Sequence, residues 1–182
     1  LLVLGASGGV GLAAVDLGRA FGLRVIAAAS TEEKLEICRS YGAAETVNYV
    51  EEDLKGRVKQ LTAGQGVDIV VDPVGGSHTE QALRATAWQG RFLVIGFAAG
   101  DIPRVPLNLA LLKGCDIRGV FWGAFAMRDP ERHRRNLRDL VVMHHGGVIS
   151  PHISARYPLP EAPQAIADLL ERRATGKVVV EI

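Results

Sequence analysis

The chain has 182 residues, 48% of them hydrophobic, and its 21 Lys and Arg against 20 Asp and Glu leave a net charge of +1. That composition supports one well-buried core with some structure beyond it, and it excludes disorder and a general nucleic-acid-binding surface. The two cysteines, Cys38 and Cys115, lie far apart and fit buried thiols in a reducing, cytoplasmic setting rather than a disulfide framework or a zinc site. No apolar stretch is long enough to span a membrane, and no signal peptide is visible.

Strand and helix patterns alternate. Leu1–Leu4 reads as a first strand, followed by a helix from Val10 to Phe21 that stops at Gly22. Arg24–Ala29 is a second strand, and a helix from Thr31 to Tyr41 ends at Gly42, a favourable residue just past a helix end. Ser30-x-x-Glu33 reads as the capping box of that helix. Thr46–Tyr49 is a third strand, and Glu51–Leu61 an amphipathic helix with Leu54, Val58 and Leu61 on one face. Val67–Val71, Thr79–Ala87, Arg91–Ile95 and Ile117–Phe121 continue as strand, helix, strand and strand.

The strands are short, continuous and apolar, as expected when helices cover both faces of a parallel sheet. Right-handed crossovers then predict an α/β fold with a doubly wound parallel sheet, a Rossmann fold of order 3-2-1-4-5-6. Asp129-Pro130-Glu131 is a helix start, and the helix runs to His145 before Gly146-Gly147. Tyr157-Pro158-Leu159-Pro160-Glu161 is read as opening another helix, and Val178–Ile182 as a last strand. This end does not extend the alternation. It divides the chain into a nucleotide-binding domain, 1–148, and a segment, 149–182, expected to return to a second domain. The chain opens on an apolar strand without a methionine, which is read as a fragment of a longer protein.

The segment Gly5-Ala6-Ser7-Gly8-Gly9-Val10-Gly11 joins the first strand to an alanine-rich helix. In the register Ala6-Ser7-Gly8-Gly9-Val10-Gly11 it is a G/A-x-G-x-x-G dinucleotide turn. Gly8 admits the pyrophosphate, Gly11 lets helix and strand pack closely, and the helix N-terminus presents unpaired N–H groups. Three other readings fit these letters. Gly5-Ala6-Ser7-Gly8-Gly9 is also a G-x-S-x-G nucleophile elbow with Ser7 as nucleophile, although only four residues precede it where that fold places several strands. A short-chain dehydrogenase turn would need a Tyr-x-x-x-Lys pair, and Tyr41, Tyr49 and Tyr157 are followed at that spacing by Glu45, Asp53 and Glu161. A tight strand–helix turn without a ligand is the last.

The end of the second strand normally carries an acid that binds the adenosine ribose of NAD. Here it reads Ala28-Ala29-Ser30-Thr31-Glu32-Glu33-Lys34. Hydroxyls and an ammonium in place of the acid favour a 2′-phosphate, hence NADP(H), with Glu32 and Glu33 turned away. Arg128, Arg132, Arg134, Arg135 and Arg138 form a solvated basic helix face, and His144 and His145 suit a helix C-terminus; no metal constellation is visible.

Over nearly its whole length the chain resembles the medium-chain dehydrogenase/reductase superfamily, specifically its zinc-independent NADPH:quinone oxidoreductases, the zeta-crystallin-like group. The glycine turn and Ser30-Thr31-Glu32-Glu33-Lys34 carry the resemblance. So do Asn48-Tyr49, Asp72-Pro73-Val74-Gly75-Gly76, Gly96-Phe97-Ala98-Ala99-Gly100, Pro106-Leu107-Asn108-Leu109, Phe121-Trp122-Gly123 and the tail from Glu171 to Val180. The resemblance implies that Gly8, Gly9, Val10 and Gly11 hold the pyrophosphate. It implies that Thr31, Lys34, Tyr49 and the tail residue Arg173 surround the 2′-phosphate. Val74 and Gly75 would line the cleft, Phe97 and Ala98 would sit beside the nicotinamide ribose, and Phe121 and Trp122 would flank the nicotinamide. Ser30 stands where the family has glycine, which alters the fine shape of the phosphate pocket.

The implied activity is NADPH-dependent hydride transfer to a quinone or similar conjugated carbonyl, with no catalytic side chain named and a GroES-like domain supplying the other wall of the cleft. Enoyl and alkenal reductases share these motifs, and a non-catalytic NADPH-binding role is the alternative from another class. The strand at Ile117–Phe121 would be a bare sheet edge, expected to pair with a second copy in a homodimer.

Overall fold

The structure is a computed structural model and describes residues 1–182. Its strands and helices follow in chain order as β1 (Leu2–Leu4), α1 (Gly11–Ala20), β2 (Ile26–Ala29), α2 (Glu32–Ser40), β3 (Glu45–Asn48) and α3 (Leu54–Leu61). Then come β4 (Val67–Asp72), α4 (Ser77–Ala85), β5 (Thr86–Val94), α5 (Asn108–Lys113), β6 (Asp116–Gly119), α6 (Trp122–Arg128) and α7 (Pro130–His145). The chain ends with β7 (Ile153–Pro158), a 3₁₀ turn (Leu159–Glu161), α8 (Ala162–Leu170) and β8 (Lys177–Glu181).

Six strands form one parallel sheet in the order β3-β2-β1-β4-β5-β6, the doubly wound arrangement expected from the sequence. Side chains alternate across its two faces. Leu2, Leu4, Ile26, Ala28, Val47 and Val70 pack with Leu54 and Val58 of α3 and with Ala82 and Leu83 of α4. Val3 and Ala27, one residue out of phase, pack on the other face with Leu12 and Val15 of α1 and Cys38 of α2. The central strands are apolar on both sides because both faces are covered. Burial pushes the Cys38 thiol up to about 12, so it is an inert core residue.

Several boundaries differ from the sequence reading. Thr31, not Ser30, caps α2: Thr31 is extended (φ −144°, ψ 155°) and its Oγ1 accepts from the Lys34 amide at 3.3 Å. The capping box therefore does not form, and Ser30 keeps its hydroxyl for another partner. Helix α3 starts at Leu54 because Asp53 caps it through the Gly56 amide at 2.8 Å. The short helices α5 and α6 are additions, so Trp122 begins a helix instead of trailing a strand. Asp129 caps α7 as expected, accepting from the Arg132 amide at 3.1 Å.

The largest departure is at the C-terminal end. Tyr157 and Pro158 close a strand, β7, and do not open a helix. β7 pairs in parallel with β8 in a separate two-stranded sheet, with α8 as the crossover. This unit reaches back to the main sheet. The Gly176 amide donates to Ser7 O at 2.8 Å, and Gly8 and Gly176 form a parallel bridge. The tail is thus fastened to the glycine turn itself.

Candidate cofactor-binding site

The glycine turn follows β1 directly. Gly5 adopts φ +56°, and its carbonyl accepts the Gly8 amide at 3.0 Å, which closes the turn. Gly11 opens α1 in contact with the strand end. A Cβ on Gly11 would lie 2.2 Å from Gly5 O and 2.7 Å from the Ala6 Cα, so only glycine fits. Val10 precedes α1 without any side-chain cap, and the amides of Val10 and Gly11 donate to no group of the chain, while Gly9 faces the Gly176 carbonyl across the Gly8–Gly176 bridge. The two free amides form an anion-binding terminus on a ten-residue helix. A Cβ on Gly9 would approach Gly176 O at 2.9 Å and Lys177 Nζ at 3.0 Å, so the Lys177 ammonium stands beside the same turn. Sequence reading passed over Lys177; its only signal is the tail segment Thr175-Gly176-Lys177.

A second cluster gathers at the carboxyl ends of β2 and β3. Lys34 Nζ lies 3.5 Å from Ser30 Oγ and donates to Arg172 O at 3.0 Å, bringing residues 138 positions apart into contact. Glu32 turns away to Arg39, with 2.6 Å between them, so no acid faces the lysine from that side. Tyr49 is half-buried, and its amide donates to Ala29 O at 3.2 Å. Burial raises its phenol pKa, an effect partly offset by the Ser30 hydroxyl and by the Arg172 charge. Arg172 was not singled out from sequence. Arg173, expected at this phosphate, is engaged elsewhere. Its Nε and Nη2 donate to Asp168 Oδ1 at 3.1 and 2.5 Å, and it pairs with Glu171.

His78, also missed from sequence, lies against the Tyr49 ring with centroids 4.4 Å apart, and its Nδ1 is buried without a partner. Burial lowers its pKa, with Asp72 opposing. The unfolded chain therefore binds this proton more readily than the folded one. Stability is expected to be full above the ordinary histidine value of about 6.5 and to fall as pH drops from there through the folded pKa. Urea unfolding across that range, with His78→Asn as the flatter comparison, checks this.

A third group comes from the ends of β4 and β5. Asp72 is 2% exposed; its Oδ1 accepts the Val74 and Gly75 amides at 2.9 and 2.8 Å, and its Oδ2 accepts Thr79 Oγ1 at 2.6 Å. Gly75 (φ +71°) packs under Phe97, where a Cβ would come within 2.9 Å of the ring. The Ala98 amide donates to Pro73 O at 3.1 Å. Val74 reaches across to the glycine turn, since a Cβ on Gly5 would meet its Cγ2 at 2.7 Å. The strand-end loops after β1, β4 and β5 thus interlock. Phe121 and Trp122 follow β6 and are exposed, and the aromatic contacts of this helix pair, Trp122 and Phe125 against His133, lie between α6 and α7.

A groove of about 340 Å³ lies between α1 and α7 and is lined by Leu12, Leu17, Leu137, Leu140 and Ile149. It runs along helix flanks. The strand carboxyl ends, where open α/β sheets bind ligands, are where the three groups above converge.

The sequence profile of the zinc-binding dehydrogenase family matches residues 9–140. The chain belongs to this family. It is 40% identical over 182 residues to "Quinone oxidoreductase-like protein 2 homolog" of Nematostella vectensis, covering 99% of this chain and 50% of that protein. It is 37% identical to "Quinone oxidoreductase-like protein 2" of Rattus norvegicus, covering 100% of this chain and 52% of that one. Among solved structures, the Escherichia coli quinone oxidoreductase complexed with NADPH matches with a TM-score of 0.89 at 28% identity, over 99% of this chain and 56% of that chain. The chain spans about half the length of the relatives it matches. The resemblance read from the motifs and the doubly wound fold both stand.

The family carries zinc in its description, but no three His, Cys, Asp or Glu side chains of this chain stand together as a metal site. The residues present do not fit a zinc ion. They do fit a dinucleotide: free amides over a glycine cradle in which Gly5, Gly9 and Gly11 leave no room for a Cβ, with cations on both sides.

Proposed function

We propose that this chain is the NADP(H)-binding portion of an oxidoreductase that transfers hydride to a quinone or similar conjugated carbonyl. The observation that carries this reading is the acid-free cluster of Ser30, Lys34 and Tyr49 beside a glycine turn with unclaimed amides. An ammonium and hydroxyls bind a 2′-phosphate through charge-assisted hydrogen bonds, where an acid would repel it. The NADPH complex of the Escherichia coli relative supports the assignment.

The roles divide by position. The Val10 and Gly11 amides, with Gly9 in the turn and Lys177 beside it, hold the pyrophosphate. Ser30, Lys34 and Tyr49 hold the ribose phosphate, and Thr31, whose hydroxyl caps α2, fixes the backbone under it. Ala6 and Ser7 shape the turn, and Gly8 admits the phosphates. Val74, Gly75, Phe97 and Ala98 line the cleft, with Phe121 and Trp122 toward the nicotinamide. The bound nicotinamide supplies the hydride, while the protein orients the acceptor and excludes water. Residues 1–148 are the nucleotide-binding unit, and 149–182 connects to a second wall. β6, exposed along Asp116–Gly119 at the sheet edge, is the pairing edge of a cytoplasmic homodimer.

The test mixes NADPH and a simple benzoquinone with this chain carried together with its second wall, and follows loss of reduced-nicotinamide absorbance; the chain alone is expected to be inactive or weakly active. Quinone-dependent oxidation, faster with NADPH than with NADH, is the expected result. Tight NADPH binding with no quinone-dependent oxidation would overturn the enzymatic half.

A further inference from the structure

Helix α1 carries a carboxylate on its buried side. Leu12, Val15 and Asp16 share one stripe of the helix, and Asp16 is 6% exposed. A buried carboxylate is costly unless it is paired and hydrogen-bonded. Here each oxygen has its own partner. Asp16 Oδ1 lies 2.7 Å from Arg19 Nη2, and Oδ2 accepts the Ser150 amide at 2.8 Å across 134 positions of sequence. Arg19 also donates to Val148 O, and its stem fills the space that a Cβ on Gly42 would need. The proposed cofactor contacts do not involve this carboxylate.

The segment it holds leads to the glycine turn. Gly147 (φ +69°) turns the chain out of α7, and Val148 and Ser150 are then fastened to α1. Residues 149–152 belong to no helix or strand, so their path depends on such anchors. Just beyond Ser150, the His152 carbonyl accepts the Lys177 amide at 2.8 Å. The His152 ring lies between the Tyr41 hydroxyl and Thr175 Oγ1, each 3.4 Å from a ring nitrogen. The Gly176 amide donates to Ser7 O, and Lys177 Nζ would lie 3.0 Å from a Cβ on Gly9. Asp16, Ser150, His152 and Lys177 thus form one line of contacts from the flank of α1 to the turn at its start.

We infer that Asp16 is a positioning residue for dinucleotide binding: by fixing Ser150 it sets His152, and through it the Lys177 ammonium, against the glycine turn. The inference rests on the dinucleotide-binding reading above and extends it to a residue away from the phosphates. An ammonium held in place before the phosphates arrive loses less freedom on binding than an unrestrained lysine, so its charge-assisted hydrogen bond keeps more of its value. An apolar residue at position 16 would leave the Ser150 amide without this acceptor and free the segment that carries His152.

The test measures binding of NADPH and NADH, which share the pyrophosphate, to this chain carried together with its second wall. Lys177→Ala is expected to weaken both by about tenfold. Asp16→Ala is expected to weaken both by about fivefold with their ratio unchanged, while Asp16→Asn, which keeps an oxygen for the Ser150 amide, stays within about twofold. In the Lys177→Ala background, Asp16→Ala should bring no further loss, because the residue it acts through is gone. Asp16→Ser, too short to reach the Ser150 amide and bordering a groove that admits water, takes the place of Asp16→Ala if that variant does not fold, with the same expected losses. A variant that unfolds at lower temperature yet binds both cofactors as before, or losses that add in full in the double variant, would overturn the inference and leave the dinucleotide reading standing. An unmutated protein that binds neither cofactor would instead remove the reading on which it rests.

Discussion

Gly11→Ala is expected to cost about 3 kcal/mol or more and to abolish dinucleotide binding. The added methyl would sit 2.2 Å from Gly5 O, 2.7 Å from the Ala6 Cα and 2.9 Å from Gly5 C. These are backbone atoms of the turn, so no side-chain rotation relieves the contact. Helix α1 would have to lift from β1, separating Leu12 and Val15 from Val3 and moving the free amides of the turn. In a domain of this size such a loss lowers the unfolding temperature by roughly 6–12 °C. Gly119→Ala is the control, because a Cβ there meets nothing within 4 Å. Its shift should stay within about 1 kcal/mol. Equal effects from the two substitutions would contradict the close approach of α1 to β1.

The second large effect is expected at Asp72. Asp72→Ala removes the acceptor of the Val74 and Gly75 amides and of the Thr79 hydroxyl, in a site where Asp72 and Thr79 are 2% and 6% exposed. Buried donors without acceptors cost about 1–3 kcal/mol each, less where water enters the space left behind, so a total of about 3–5 kcal/mol is expected. Asp72→Asn keeps one oxygen for the amides and can turn its amide toward the Thr79 oxygen, so it should cost less than the alanine variant. Denaturant midpoints for the pair give the comparison. Because this carboxylate shapes the loop that carries Val74 and Gly75, the alanine variant should also weaken cofactor binding, and the asparagine variant much less.

The main sheet was readable because its chemistry is local. Leu2–Leu4 and Ile26–Ala29 are short apolar runs whose two faces are both covered, and glycines punctuate the helices between them. Helix α6 left no such trace: its seven residues are too few to display a helical period, and none is buried. Strand β7 is exposed or half-buried throughout and ends in Pro158, which reads as a turn. The cap of α2 was misplaced by one residue because Ser30 and Thr31 offer the same chemistry and only backbone dihedrals decide between them.

The site was legible in part for the same reason. The glycine turn and Ser30 to Lys34 are contiguous segments with a recognisable pattern. Arg172, Lys177 and His78 join them only through tertiary contacts: Arg172 O meets Lys34, Lys177 approaches Gly9, and His78 packs on Tyr49. No local periodicity predicts such meetings.

The central claim is that an acid-free, lysine-bearing pocket beside the glycine turn binds NADP(H). Titration with NADPH and NADH in parallel, following nicotinamide fluorescence, tests it most directly. The account predicts clear preference for NADPH, with Lys34→Ala weakening NADPH by about 10- to 100-fold and leaving NADH nearly unchanged. Equal affinity for the two cofactors, or a Lys34→Ala variant that binds NADPH as the unmutated protein does, would contradict it.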